Sequence, residues 1–124
     1  MAFFSETKLA TVPVQPEDQL TLKVVIGKAQ CGGWAYRLGK VVKKGPGSLD
    51  KPLAIGSGVA ALAARLLHVN ATVFDCRPET DDLPATVEIT RVRDGAVFTI
   101  DFLYQGGAGD SACFTAAFVF QELG

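Results

Sequence analysis

The sequence predicts an all-β protein, an antiparallel β-sandwich of about seven or eight strands with at most one short helix near residues 58–64. Three observations carry this expectation. Apolar and polar residues alternate at a period of two in most segments after Leu20, the signature of strands with one buried face. Clusters of Gly, Pro and Asp separate these segments roughly every ten to fifteen residues, the rhythm of short sandwich strands. Only residues 60–64, with their alanines, favour a helical turn.

The composition sets the outer bounds. A chain of 124 residues with 48% hydrophobic and 20% charged residues builds one domain with a real core and is no candidate for disorder. A net charge of −1 gives no electrostatic reason to expect nucleic acid or an anionic membrane as partner. No apolar run reaches the roughly 18 residues of a membrane-spanning helix, and MAFFSETK lacks the basic and apolar regions of a Sec signal. The expected location is the cytoplasm, or outside it by export without a Sec signal. Cys31, Cys76 and Cys113 show no CxxC or Cys/His spacing, which speaks against zinc. Three reduced thiols suit a cytoplasmic protein; one disulfide plus a free thiol is the other arrangement.

In chain order, residues 1–19 carry Pro13 and Pro16 and read as an N-terminal extended arm or edge strand, because proline cannot donate to a ladder. Residues 20–124 form the sandwich domain. Leu20, Leu22, Val24 and Ile26 share one face of a strand, and Trp34, Tyr36 and Leu38 share a face of the next. Residues 39–52 hold three glycines and two prolines and read as a loop with at most a brief pairing at Val41 and Val42. Residues 65–75 follow as a strand, with Leu67, Val69, Ala71 and Val73 inward. The acidic, proline-containing residues 76–84 form a turn, and residues 85–92 a strand folding back from it. Asp94-Gly95 predicts a type I′ hairpin turn, with both central residues at positive φ. Phe98, Ile100, Phe102 and Tyr104 then line one face, and Phe114, Ala116, Phe118 and Phe120 line the last strand. Residues 65–121 are thus expected to form one antiparallel meander.

One stretch supports a different class. Gly56-Ser57-Gly58-Val59-Ala60-Ala61 fits G-x-G-x-x-G/A, and Asp75 stands near the position of a ribose-binding acid. IGSGVAALAARL…ATVFD resembles the start of a flavin- or NAD-binding Rossmann domain, which implies a pyrophosphate held by the Gly56-Ser57-Gly58 loop and a helix N-terminus. That reading makes the chain a small nucleotide-binding or enzymatic domain. Against it, the strand before the glycines is short, and residues 52–75 are fewer than the roughly 30 of a βαβ unit.

On the sandwich reading, tracing strand direction brings the turns at 76–84 and 105–111 to one end. Glu79, Asp81, Asp82 and Asp110 would share that tip, where carboxylates suit calcium or another hard divalent cation; no other cofactor is expected. His68 is the only histidine and lies mid-strand, remote in sequence from every cysteine, so no Cys–His nucleophile is indicated. Leu66, His68 and Phe74 point away from the core, and large apolar side chains on a nominal solvent face suggest an interface. The expected function is therefore a non-enzymatic β-sandwich module acting through protein–protein contacts, by self-assembly into a homo-oligomer or larger assembly or with a protein partner.

Overall fold

Alternation at a period of two becomes two packed layers. The computed structural model describes residues 2–77 and 79–123. Its elements are β1 (Phe3–Val14), β2 (Gln19–Ile26), β3 (Cys31–Leu38), β4 (Val41–Pro46), β5 (Leu49–Ser57), α1 (Gly58–Ala64), β6 (Leu66–Phe74), β7 (Asp82–Arg91), β8 (Ala96–Gln105) and β9 (Ser111–Glu122). Sheet A has five strands in the order β1-β9-β6-β3-β4, and sheet B four in the order β5-β2-β7-β8. β1 runs parallel to β9, and the other ladders are antiparallel. The chain is an all-β sandwich.

The inward faces are those the alternation predicts. Leu67, Val69, Ala71 and Val73 of β6 are fully buried beside Phe114 and Phe118 of β9, opposite Leu22, Val24, Val87 and Ile89 of sheet B. Each such Val, Leu, Ile or Phe stabilises the fold by about 1.5–3 kcal/mol. Phe102 stacks on Phe114 at 4.8 Å, and Phe4 of β1 stacks on Tyr104 of β8 at 4.5 Å. These contacts draw the β1 margin of sheet A towards the β8 margin of sheet B. Lys8 adds a bond to the Asp101 carbonyl at 2.7 Å.

Four sequence expectations change. Residues 39–52 are not a loop: β4 forms the edge of sheet A, and the chain crosses at Gly47 and Ser48 into β5, the edge of sheet B. Edge strands need only one ladder, so the glycines and prolines that argue against a central strand are tolerated there. Pro52 falls where the β5–β2 register slips, between the Leu53↔Leu22 and Leu49↔Val24 pairs.

The second change concerns the meander. β6 pairs with β3 and β9, whereas β7 pairs with β2 and β8. The acidic segment therefore crosses between sheets and is not a hairpin turn, and the β8–β9 connection crosses back. Periodicity identifies a strand's buried face but not its sheet, because both sheets turn that face to the same core. β7 also begins earlier than expected, taking in Leu83 and Pro84. Pro78, one of the two prolines of the expected turn, lies outside the described residues.

The third change is the turn at Asp94-Gly95. Arg91↔Ala96 is the last register pair, so four residues form the loop, and only Gly95 has positive φ, at 72°. Its N–H donates to the Arg91 carbonyl at 2.8 Å, while Asp94 turns its carboxylate onto Arg91 at 2.6 Å. Consecutive positive φ values occur instead at Lys28 and Ala29 (55° and 54°) between β2 and β3, residue types that do not announce such a turn.

The fourth change is in the thiols. Cys31 and Cys76 form a disulfide with Cα atoms 5.8 Å apart, leaving Cys113 as a half-buried free thiol.

Candidate functional site

The glycine loop at the start of α1 comes first. Ser57 caps the helix by accepting from the Ala60 N–H. The Gly58 N–H donates to the Asp18 carbonyl at 2.7 Å, and the Val59 N–H to the Pro16 carbonyl at 3.1 Å. The donors that would face a phosphate are thus engaged by the β1–β2 turn. Gly58 is needed for this approach, since an added Cβ would overlap the Gln15 carbonyl oxygen and lie 2.8 Å from its carbon. Asp18, only 1% exposed, anchors the turn. It accepts from Arg93 Nε at 2.6 Å and Nη2 at 3.3 Å, and from the Gln15 N–H at 2.8 Å. The Arg93 hydrogen bonds hold its carboxyl below the ordinary value despite burial.

At the opposite end lie the acids of the tip. The β6–β7 and β8–β9 connections meet there: the Asp75 N–H donates to the Asp110 carbonyl at 3.0 Å, and the Gly109 N–H to Asp75 Oδ2 at 3.2 Å. Asp110 is 5% exposed. Its carboxylate accepts from the Gly107 N–H at 2.7 Å, the Ala2 N–H at 2.6 Å and the Tyr104 hydroxyl at 3.3 Å, and the backbone donors lower its pKa. Asp82 pairs with Lys28 at 3.5 Å. Glu79 is exposed. Asp81 lies against Asp75, and the hydrogen bond they share, with burial and the neighbouring charges, pushes its carboxyl up. Among the described residues, no three His, Cys, Asp or Glu side chains converge in an arrangement fit to hold a metal ion.

Gln30 organises this end, and sequence reasoning missed it. Its buried amide donates to the Asp82 carbonyl at 3.0 Å and the Thr80 carbonyl at 3.2 Å, and accepts from the Cys76 N–H at 3.0 Å. Beside it, the Cys31–Cys76 disulfide ties β3 to the same crossover. A lone glutamine in a turn gives no sequence signal of burial.

The outer face of sheet A gathers the remaining features. Register aligns Phe3, Ser111 and Phe74 in one row across β1, β9 and β6, and Leu9, Ala117 and His68 in another. Phe3 is 71% exposed, Leu9 69% and Phe74 49%; Leu66 and His68 are half-buried. Sequence reasoning singled out Leu66, His68 and Phe74 but not Phe3 or Leu9, because the parallel β1–β9 ladder that joins them is non-local. Cys113 pairs in register with Thr72. His68 lies four residues away along β6, about 13 Å at strand rise, so the two form no nucleophile pair.

On the β3–β4 side of the same face runs a groove of about 470 Å³ bordered by Gly33, Ala35, Lys44, Pro46, Asn70 and Thr72. The outer face of sheet B carries one charge pair in register, Lys23 beside Glu88, among exposed Val25, Val97 and Leu103. Among the described residues, no helix is long and apolar enough to cross a membrane.

Comparison with protein-family models, with curated proteins and with solved structures returns no match.

Proposed function

We propose that this chain is a non-enzymatic β-sandwich module that works through protein–protein contacts, associating with copies of itself through the β1–β9–β6 half of sheet A. The observation that supports this reading is the exposure of Phe3, Leu9 and Phe74 on one face, Phe3 and Phe74 flanking Ser111 in one row and Leu9 beside Ala117 in another, with the polar rows through Cys113 and Thr115 between them. Large apolar side chains beside small ones favour burial at both ends of this face. Leu66 and His68 extend it along β6. Association by the edges of β4 and β5 is disfavoured by Lys43, Lys44, Asp50, Lys51 and Pro52, the residue types that blunt strand edges. The Cys31–Cys76 disulfide supports work in an oxidising compartment.

Sedimentation velocity over a hundredfold concentration range tests the reading. The wild type should shift to a larger species as concentration rises, and Leu9→Glu combined with Phe74→Asp should hold it monomeric with an unchanged circular dichroism spectrum. A wild type that stays monomeric throughout, or a double variant that associates equally well, would overturn self-association by this face.

A further inference from the structure

The groove on the other half of sheet A has a shape and a polarity that the contact reading does not use. In the register, Pro46, Gly33 and Thr72 form one row and Lys44, Ala35 and Asn70 the next. In both rows the central β3 residue has nothing beyond a Cβ, and larger side chains rise on β4 and β6. A trough along β3 results, and the strand pairing enforces it at Gly33, where an added Cβ would lie 2.9 Å from the Gly45 carbonyl oxygen. Its volume of about 470 Å³ falls within the roughly 300–1,000 Å³ of small-molecule sites.

The polarity of the walls is one-sided. Thr115 Oγ1 donates to Asn70 Oδ1 at 2.9 Å. With its carbonyl committed towards β9, the Asn70 amide has its NH₂ left for the groove side. Lys44 faces it across Ala35 and has no carboxylate within ion-pair distance among the described residues. Arg37 is the next outward residue along β3 and pairs in register with His68. The outward positions of β3, β4 and β6 include no Asp or Glu. The groove therefore offers donors and positive charge over an apolar floor, with no acidic side chain to repel an anion.

We propose that this groove binds a small amphiphilic carboxylate, an organic acid whose aliphatic or aromatic body lies over Gly33 and Ala35. Its carboxylate is received by the Lys44 ammonium and the Asn70 amide. A neutral amphiphile of the same length would make the floor contacts without the charge-assisted bonds, and a cationic one would meet Lys44 and Arg37 with like charge.

Trp34 stands between Gly33 and Ala35 but turns its ring to the opposite face, against Tyr36 and Gly45, so binding is read by isothermal titration calorimetry. The full chain is titrated with octanoate, 1-octanol and octylammonium, each below its micelle or solubility limit. Octanoate should bind saturably, and about tenfold or more tightly than either alternative, the scale of a charge-assisted contact. Lys44→Gln should erase that preference, and Ala35→Leu, which fills the trough, should abolish binding. Lys44 is exposed, so its variant keeps the test decisive if Ala35→Leu does not fold. The proposal is overturned if octanoate shows no saturable binding, if the three amphiphiles bind equally, or if Lys44→Gln leaves octanoate affinity unchanged.

Discussion

Gly58→Ala separates local propensity from tertiary packing. In a helix, replacing glycine by alanine is worth up to about 1 kcal/mol in favour of alanine, and Gly58 is the first residue of α1. Here the added methyl would overlap the Gln15 carbonyl oxygen and lie 2.8 Å from Gln15 C and 3.1 Å from Pro16 C. All three are backbone atoms, so no side chain can rotate out of the way. Relief requires α1 and the β1–β2 turn to separate by more than an ångström, which lengthens the Gly58–Asp18 and Val59–Pro16 bonds of 2.7 and 3.1 Å. Two weakened backbone bonds cost about 1 kcal/mol each, and overpacking adds about 1–3 kcal/mol. Packing therefore outweighs propensity, and the variant should lose about 3 kcal/mol net. That corresponds to a melting temperature lower by roughly 10 °C for a domain of this size. Urea unfolding followed by Trp34 fluorescence and far-UV circular dichroism measures it. Gly95→Ala is the control: its φ is 72° and the space around it is open, so it should lose only about 1–2 kcal/mol, the cost of the left-handed conformation. A Gly58→Ala protein as stable as the wild type would refute the close approach of α1 to the turn.

Two further outcomes are expected. Cys31→Ser with Cys76→Ser removes a cross-link spanning 45 residues, for which the chain-entropy argument gives about 3–4 kcal/mol; urea midpoints with and without reductant should differ for the wild type and coincide for the double variant. Asp81→Asn should raise the melting temperature at pH 7, because a carboxyl whose folded-state pKa is pushed up opposes folding once it must ionise. Below the ordinary value of 3.8 the carboxyl is neutral in both states, so the two melting temperatures should converge in acid; a gain that persists there would point to a cause other than charge.

Much of the sandwich is legible in the chain. Leu20 through Ile26, Leu67 through Val73 and Phe114 through Phe120 alternate so regularly that their buried faces follow from the period of the strand. Leu66 and Phe74 are then assigned to the outer face by the same parity. Strand direction also brings the 76–84 and 105–111 connections to one end, whichever sheets they join. What alternation cannot supply is partnership. The chemistry of β6 and β7 is compatible with a hairpin, yet each finds its neighbours elsewhere, and the difference lies in contacts far apart in sequence.

The candidate surfaces divide in the same way. Leu66, His68 and Phe74 stand out because they break the expected polarity of a single strand. Phe3 and Leu9 join them only through the parallel β1–β9 ladder. The β3 groove exists only because β4 pairs beside Gly33 and Ala35, in a segment whose glycines and prolines read as loop. The acids of the tip were visible as a cluster, but the bonds that hold Asp110 and the burial of Gln30 arise from two crossovers meeting.

By itself, then, the sequence determined that this chain is an all-β sandwich, which faces of its strands are buried, and that a short helix precedes β6, because these follow from local periodicity and propensity. Only the tertiary structure decided which sheet each strand joins, that Cys31 meets Cys76, and that Gly58 serves close packing against the β1–β2 turn. Each of these depends on non-local backbone pairing, whose energy is spread over both partners and written in neither alone.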